Sequence, residues 1–148
     1  MRVLTPKFGE LEIPDADIIT FPEGVPGFKS HRWVLFQREE TPVVSWLQSI
    51  DEPDVSLMTV EPADLLLVDY APTFDDDDVR TVRPDPSLDE VFRVRIIIRN
   101  AEIPNHLRVN LFAPLLFNVD RRLGMQVPLT GSGYPVSALW PPTPSTAT

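Results

Sequence analysis

Four consecutive carboxylates, Asp75-Asp76-Asp77-Asp78, are the densest set of charged oxygens in the chain. Such donors could hold a hard cation, Ca²⁺ or Mg²⁺. They lack the spaced alternation and the glycine of a calcium loop, so a solvated loop or a short helix start is the preferred reading. His31 and His106 are the only histidines. Neither stands in a His-Glu-x-x-His pair, and no glycine-framed serine elbow accompanies them, so both read as exposed loop residues. Neither Gly-x-Gly-x-x-Gly nor a glycine loop ending in Lys-Ser or Lys-Thr occurs, which removes the usual motifs for dinucleotide binding and phosphoryl transfer. Arg93, Arg95 and Arg99, extended by Arg108, could grip an anionic ligand; pairing with carboxylates across strands is preferred in so acidic a chain. These residues form no catalytic constellation. The chain is read as a non-enzyme, with no cofactor and no metal.

What remains is binding. The formal charge of −9 in 148 residues argues against direct contact with nucleic acid, because phosphate binding needs a basic face. It suits a basic protein partner, attracted over about 8 Å at physiological salt, and would serve solubility equally well. The absence of cysteine excludes disulfides and thiol chemistry and fits a reducing compartment. No apolar run approaches the ~20 residues of a membrane span, and Pro6 interrupts any signal-peptide core. A cytoplasmic, soluble protein is expected.

Seventeen prolines leave little room for long helices, since an interior proline costs ~3 kcal/mol. Between them lie short alternating or β-branched stretches: 8–13, 33–37, 43–50, 55–60, 91–99, 107–112, 115–119 and 123–129. In 91–99, Phe92, Val94, Ile96 and Ile98 share one face, while Arg93, Arg95 and Arg99 share the other with Val91 and Ile97. Pro114 should interrupt pairing. Pro62 opens a possible single helical turn, and a second short helix would start near Asp76. The expected fold is mostly β, a small antiparallel barrel, closed or nearly closed, with one or two short helices. One domain is assigned to 1–140, and the Pro/Thr-rich 141–148 to a disordered tail.

The segment Ile19-Thr20-Phe21-Pro22-Glu23-Gly24-Val25-Pro26-Gly27-Phe28 has the composition of two consecutive reverse turns. Phe21 to Gly24 suits a type I turn, and Val25 to Phe28 a type II turn with Gly27 at positive φ. This segment resembles the Phe-Pro-x-Gly-Ile-Pro-Gly-Phe signature of the FliW family of flagellar assembly factors, with Val25 in place of isoleucine. Trp46-Leu47-Gln48-Ser49, Val60-Glu61-Pro62 with Asp69-Tyr70, and Val109-Asn110-Leu111-Phe112-Ala113-Pro114 with Phe117-Asn118 are similar to further family segments in the same order. Gln126 and Tyr134 match its end.

The resemblance implies a cytoplasmic binding protein. It implies that the chain binds and antagonises the RNA-binding translational regulator CsrA and also binds flagellin, which couples flagellin synthesis to filament assembly. Charge and exposure alone nominate Glu23, Phe28, Glu39, Glu40, Asp75, Asp76, Asp77 and Asp78 as protein-binding residues, on a monomer. The alternative from another class is a small-ligand barrel of the flavin-binding type, enzyme or carrier, with Arg93, Arg95 and Arg99 as its only anchors. A third possibility is a different protein partner on the same fold.

Overall fold

Alternation and proline spacing set strand lengths of three to nine residues in the computed structural model, which describes residues 1–142. The strands are β1 (Arg2–Thr5), β2 (Gly9–Glu12), β3 (Ile18–Thr20), β4 (Arg32–Arg38), β5 (Thr41–Ser49), β6 (Ser56–Val60), β7 (Phe92–Asn100), β8 (Leu107–Val109), β9 (Leu115–Asn118), β10 (Leu123–Gln126) and β11 (Ala138–Trp140). Two 3-10 turns, Asp15–Asp17 and Pro62–Leu65, supply the regular helical structure among the described residues. Pro62 opens the second, and the Asp64 carboxylate accepts from the Glu61 amide at 3.0 Å to cap it. The helix expected near Asp76 does not form. Residues 76–82 make successive turns instead, with Val79 reaching back to Asp75 and Arg83 to Val79. Adjacent carboxylates repel along that stretch, and Pro84 ends it. The expected tail lies outside the described residues from 143 onward.

Seven strands close a barrel in the order β3-β4-β5-β6-β7-β9-β10 and back to β3. Six junctions are antiparallel; the closing one, β10 on β3, is parallel and pairs only Leu123 with Thr20. The long strand β7 serves two neighbours in succession. Its first half, Phe92 to Arg95, pairs with β9, and its last residues, Ile98 to Asn100, pair with β8. β8 then carries β11, so these two short strands form a flange beside the barrel. The separate hairpin β1–β2 covers another part of the outer wall through Val3, Ile13, Val34 and Ile50.

Inside the barrel, Ile19, Phe21, Val25, Trp33, Leu47, Leu115 and Phe117 form one buried cluster. The double turn fills one end of it. The Gly24 amide bonds the Phe21 carbonyl at 2.8 Å, and the Phe28 amide bonds Val25 at 3.0 Å. Gly27, at φ +91°, supplies the left-handed residue that the second turn demands. Phe21 has no exposed surface; its ring meets Trp33 at 6.2 Å and Phe117 edge-on at 5.7 Å. Half-buried Phe28 packs edge-on against Trp33 at 6.0 Å. Glu52 ties the plug to the β5–β6 connection, accepting from the amides of Lys29 and Ser30 at 2.7 and 2.9 Å.

The two faces of β7 have different surroundings. Ile96 and Ile98 pack on the outer side of the barrel against Val60, Leu65 and Val109, and Phe92 and Val94 against Val79 and Val82. Ile97 and the arginines Arg93 and Arg95 share the other parity, and Ile97 meets the interior cluster. A strand covered on both faces reads as amphipathic because arginine occupies the mouth end of its inner face.

Candidate functional site

The nominated acidic residues fall into two places. Glu23 projects from the first turn of the plug, where its carboxylate accepts from the Thr81 hydroxyl at 2.7 Å. That bond fastens the plug to the 75–83 segment. Val82 of that segment is fully buried, and its carbonyl accepts from the buried Asn118 amide at 2.8 Å. Asp75 to Asp78 are all exposed on this anchored loop. Asp77 pairs with Arg80 at 2.5 Å and Asp76 lies 3.6 Å from Arg83. Asp75 and Asp78 make no ion pair among the described residues, and both border a surface groove with Tyr134. No group of three metal-binding side chains occurs among the described residues. Glu39 and Glu40 lie at the β4–β5 hairpin, separated from the plug by the seven residues of β4, about 23 Å at 3.3 Å per residue. Arg38 sits 3.4 Å from Glu40. Phe28 is a half-buried buttress of the plug with one accessible side.

Sequence reasoning passed over the most exposed apolar pair near these acids. Leu66 and Val68 are 79% and 88% exposed. They follow the Pro62–Leu65 turn, where Leu66 takes the left-handed conformation at φ 56° and turns its side chain outward while Leu65 is buried. Directly after them, Tyr70 donates to the Leu111 carbonyl at 2.9 Å and packs against Tyr134 at 4.8 Å. Burial, and then the nearby Tyr134 hydroxyl, push the Tyr70 phenol well above its ordinary range. The Tyr134 hydroxyl in turn accepts from the Ala71 amide at 3.1 Å. The available signal was the run Leu65-Leu66-Leu67-Val68, four apolar residues that one short turn cannot bury on a single side.

The arginine stripe divides as well. Arg99, at the end of β7 that carries the flange, and Arg108 on β8 border one groove, while Arg93 and Arg95 line the barrel mouth opposite the plug, together with Arg122 from the turn before β10. Interior positions run from plug to mouth as Trp33 then Leu35 on β4, Leu47 then Ser45 on β5, and Ile97, Arg95, Arg93 on β7. The Arg95 side chain is 12% exposed. Its Nε donates to the Thr59 hydroxyl at 2.8 Å, and burial lowers its pKa against the raising effect of Glu61. On the flange, Arg108 pairs with Glu102 and holds that carboxyl down to about 2. In a carbon-detected titration, Glu102 is therefore expected to ionise well below the ordinary carboxylate range. Arg108→Gln should return it to the ordinary carboxylate range; an unchanged midpoint would refute this pairing. Because the folded-state value is lowered, any stability from this pair is present above the unfolded glutamate pKa and fades as pH falls toward 2.

The family model described as "FliW protein" matches residues 2–139. The flagellar assembly factor FliW of Thermotoga sp. (strain RQ2) is 33% identical over 129 residues, covering 86% of this chain and 85% of that protein. The flagellar assembly factor FliW of Geobacter sulfurreducens is 31% identical over 134 residues, covering 90% and 82%. That of Geobacillus thermodenitrificans is 33% identical over 137 residues, covering 90% and 91%. A crystal structure of the flagellar assembly factor FliW superposes with a TM-score of 0.83 at 29% identity, over 93% of this chain and 95% of that one.

Proposed function

Because the chain belongs to the FliW family of flagellar assembly factors, we propose that it acts in the cytoplasm by partner exchange, as a monomer. It binds and antagonises the RNA-binding regulator CsrA, flagellin competes for it, and flagellin synthesis is thereby coupled to filament assembly. The observation that carries the reading is the exposed Leu66–Val68 pair, joined to the Asp75–Asp78 loop through Tyr134, which borders the grooves that both line, on a rigid support. An RNA-binding protein is basic, so it meets complementary charge around an apolar anchor. Charge then sets encounter rate and partner choice, and the desolvated apolar contact sets residence time. Glu23 belongs to this surface through Thr81. Glu39 and Glu40, a strand length away, add to the long-range field only, and Phe28 supports the plug beside Glu23.

Two measurements test this. Flagellin titrated into a preformed complex with CsrA is expected to release CsrA; no binding to either protein at low salt would end the reading. In the binary complex, Asp75→Asn with Asp78→Asn should slow association several-fold and flatten its salt dependence. Leu66→Ser with Val68→Ser should instead speed dissociation by about 10- to 30-fold. Equal effects from Glu39→Gln with Glu40→Gln would place the contact at the other end of the barrel.

A further inference from the structure

The barrel mouth has the opposite charge from the molecule around it. In a chain of net charge −9, three guanidiniums converge on one cavity of about 420 Å³ that holds a single carboxylate, Glu61. Each arginine retains unused donors. Arg93 is paired with Phe117 through its backbone, while its guanidinium makes no hydrogen bond or ion pair among the described residues. Arg122 donates through one terminal nitrogen to the Asp17 carbonyl at 2.8 Å, while its Nε is buried with no acceptor. Arg95 is held by Thr59, whose hydroxyl donates onward to the Ser45 carbonyl at 2.8 Å, and its nearest approach to Glu61 is 3.7 Å, beyond hydrogen-bond length. The wall beneath them is apolar, including Leu35 and Phe117.

We propose that this mouth binds a small oxyanion, a carboxylate or phosphate group on a molecule compact enough to enter the cavity. Guanidinium groups match such oxygens bidentately, which an ammonium cannot do. Arg122 Nη1 bonds nothing among the described residues, and a bound oxyanion supplies it with an acceptor. The preorganised Arg95 loses little freedom when it binds. Apolar walls strengthen each charged hydrogen bond by lowering the local dielectric, and the volume falls within the range of small-molecule sites. Glu61 competes with the ligand for Arg95, so it limits affinity. The site is independent of the partner surface, because neither Leu66, Val68 nor the aspartate loop lines it.

The test follows the arginine Nε–H NMR signals of the full chain at fixed ionic strength, with inorganic phosphate in one titration and benzoate in the other. Saturable shifts of the Arg93, Arg95 and Arg122 signals are expected. Saturation by phosphate alone identifies a phosphate ligand, and saturation by benzoate alone identifies a carboxylate on an apolar body. Arg93→Ser with Arg122→Ser should weaken binding at least about tenfold, Arg93→Lys should weaken it less, and Glu61→Gln should tighten it several-fold. Arg99→Ser, in the groove beside the flange, should leave it unchanged. Non-saturable shifts in both titrations would overturn the site. So would equal loss in Arg99→Ser, or no tightening in Glu61→Gln.

Discussion

Phe21→Ala is expected to be the most damaging single substitution in the chain, lowering stability by about 3–5 kcal/mol. The ring is completely buried at the junction of the plug and the barrel interior, between Trp33, Phe117 and the backbone of Gly124. Its removal opens a void bounded by two large aromatics and a closed ring of strands, which cannot collapse without breaking backbone pairing. Against a typical total of 5–15 kcal/mol, that leaves a marginal fold. Urea unfolding should show a large fall in midpoint with little change in slope. Phe28→Ala, at a half-buried position, should cost clearly less. A Phe21→Ala protein as stable as the Phe28→Ala protein would mean that the plug does not brace the barrel.

Gly124→Ala is the second large effect, and it acts through crowding. A Cβ built at Gly124 would sit 2.6 Å from Cζ and 2.7 Å from Cε1 of Phe21, a separation that real side chains do not tolerate. The ring cannot retreat, because Trp33 and Phe117 hold its other edges. Overpacking of this kind costs about 1–3 kcal/mol. Gly27→Ala provides a contrast, since nothing lies within 4 Å of its added Cβ while its φ of +91° strains any L-residue. That cost, about 1–2 kcal/mol, is conformational. The two mechanisms separate in a double-mutant cycle read by thermal unfolding. Phe21→Leu should relieve Gly124→Ala, leaving a coupling of at least about 0.5 kcal/mol, and should not relieve Gly27→Ala. Additivity in the first pair would refute the contact.

Much of this fold was legible because its instructions are local. The turn chemistry of Phe21 to Phe28, the break at Pro114 and the cap at Pro62 each depend on neighbours within a few residues, and each appears in place. Hydrophobic patterning located six of the seven barrel strands to within a few residues at their ends; β3, three residues long, showed only as the apolar lead into the double turn. Strands β1 and β11 were missed for a common reason. Arg2 to Thr5 and Ala138 to Trp140 are short and weakly patterned, and they become strands by pairing with β2 and β8. Barrel closure through a single parallel register position could not be read from periodicity, which carries no information about strand direction. The same limit hid the mouth. Arg93 and Arg95 alternate with apolar residues as solvent-facing arginines would, and only closure brings Arg122 to join them from far along the chain. Leu66 and Val68 were obscured differently, because an apolar run reads as core until the left-handed turn at Leu66 ejects part of it.

The single parallel register that closes the barrel also orders events in time. Thr20 meets Leu123 only after the 102 residues between them have been made. At about 5–20 residues per second of synthesis, the nascent sheet carries an unpaired β3 edge for about 5–20 seconds. Throughout that interval the edge is open to strand addition by any neighbouring chain. The β1–β2 hairpin, by contrast, is complete within the first 12 residues. Native function therefore begins late in translation, when the last barrel strand leaves the ribosome and the nascent edge is sealed.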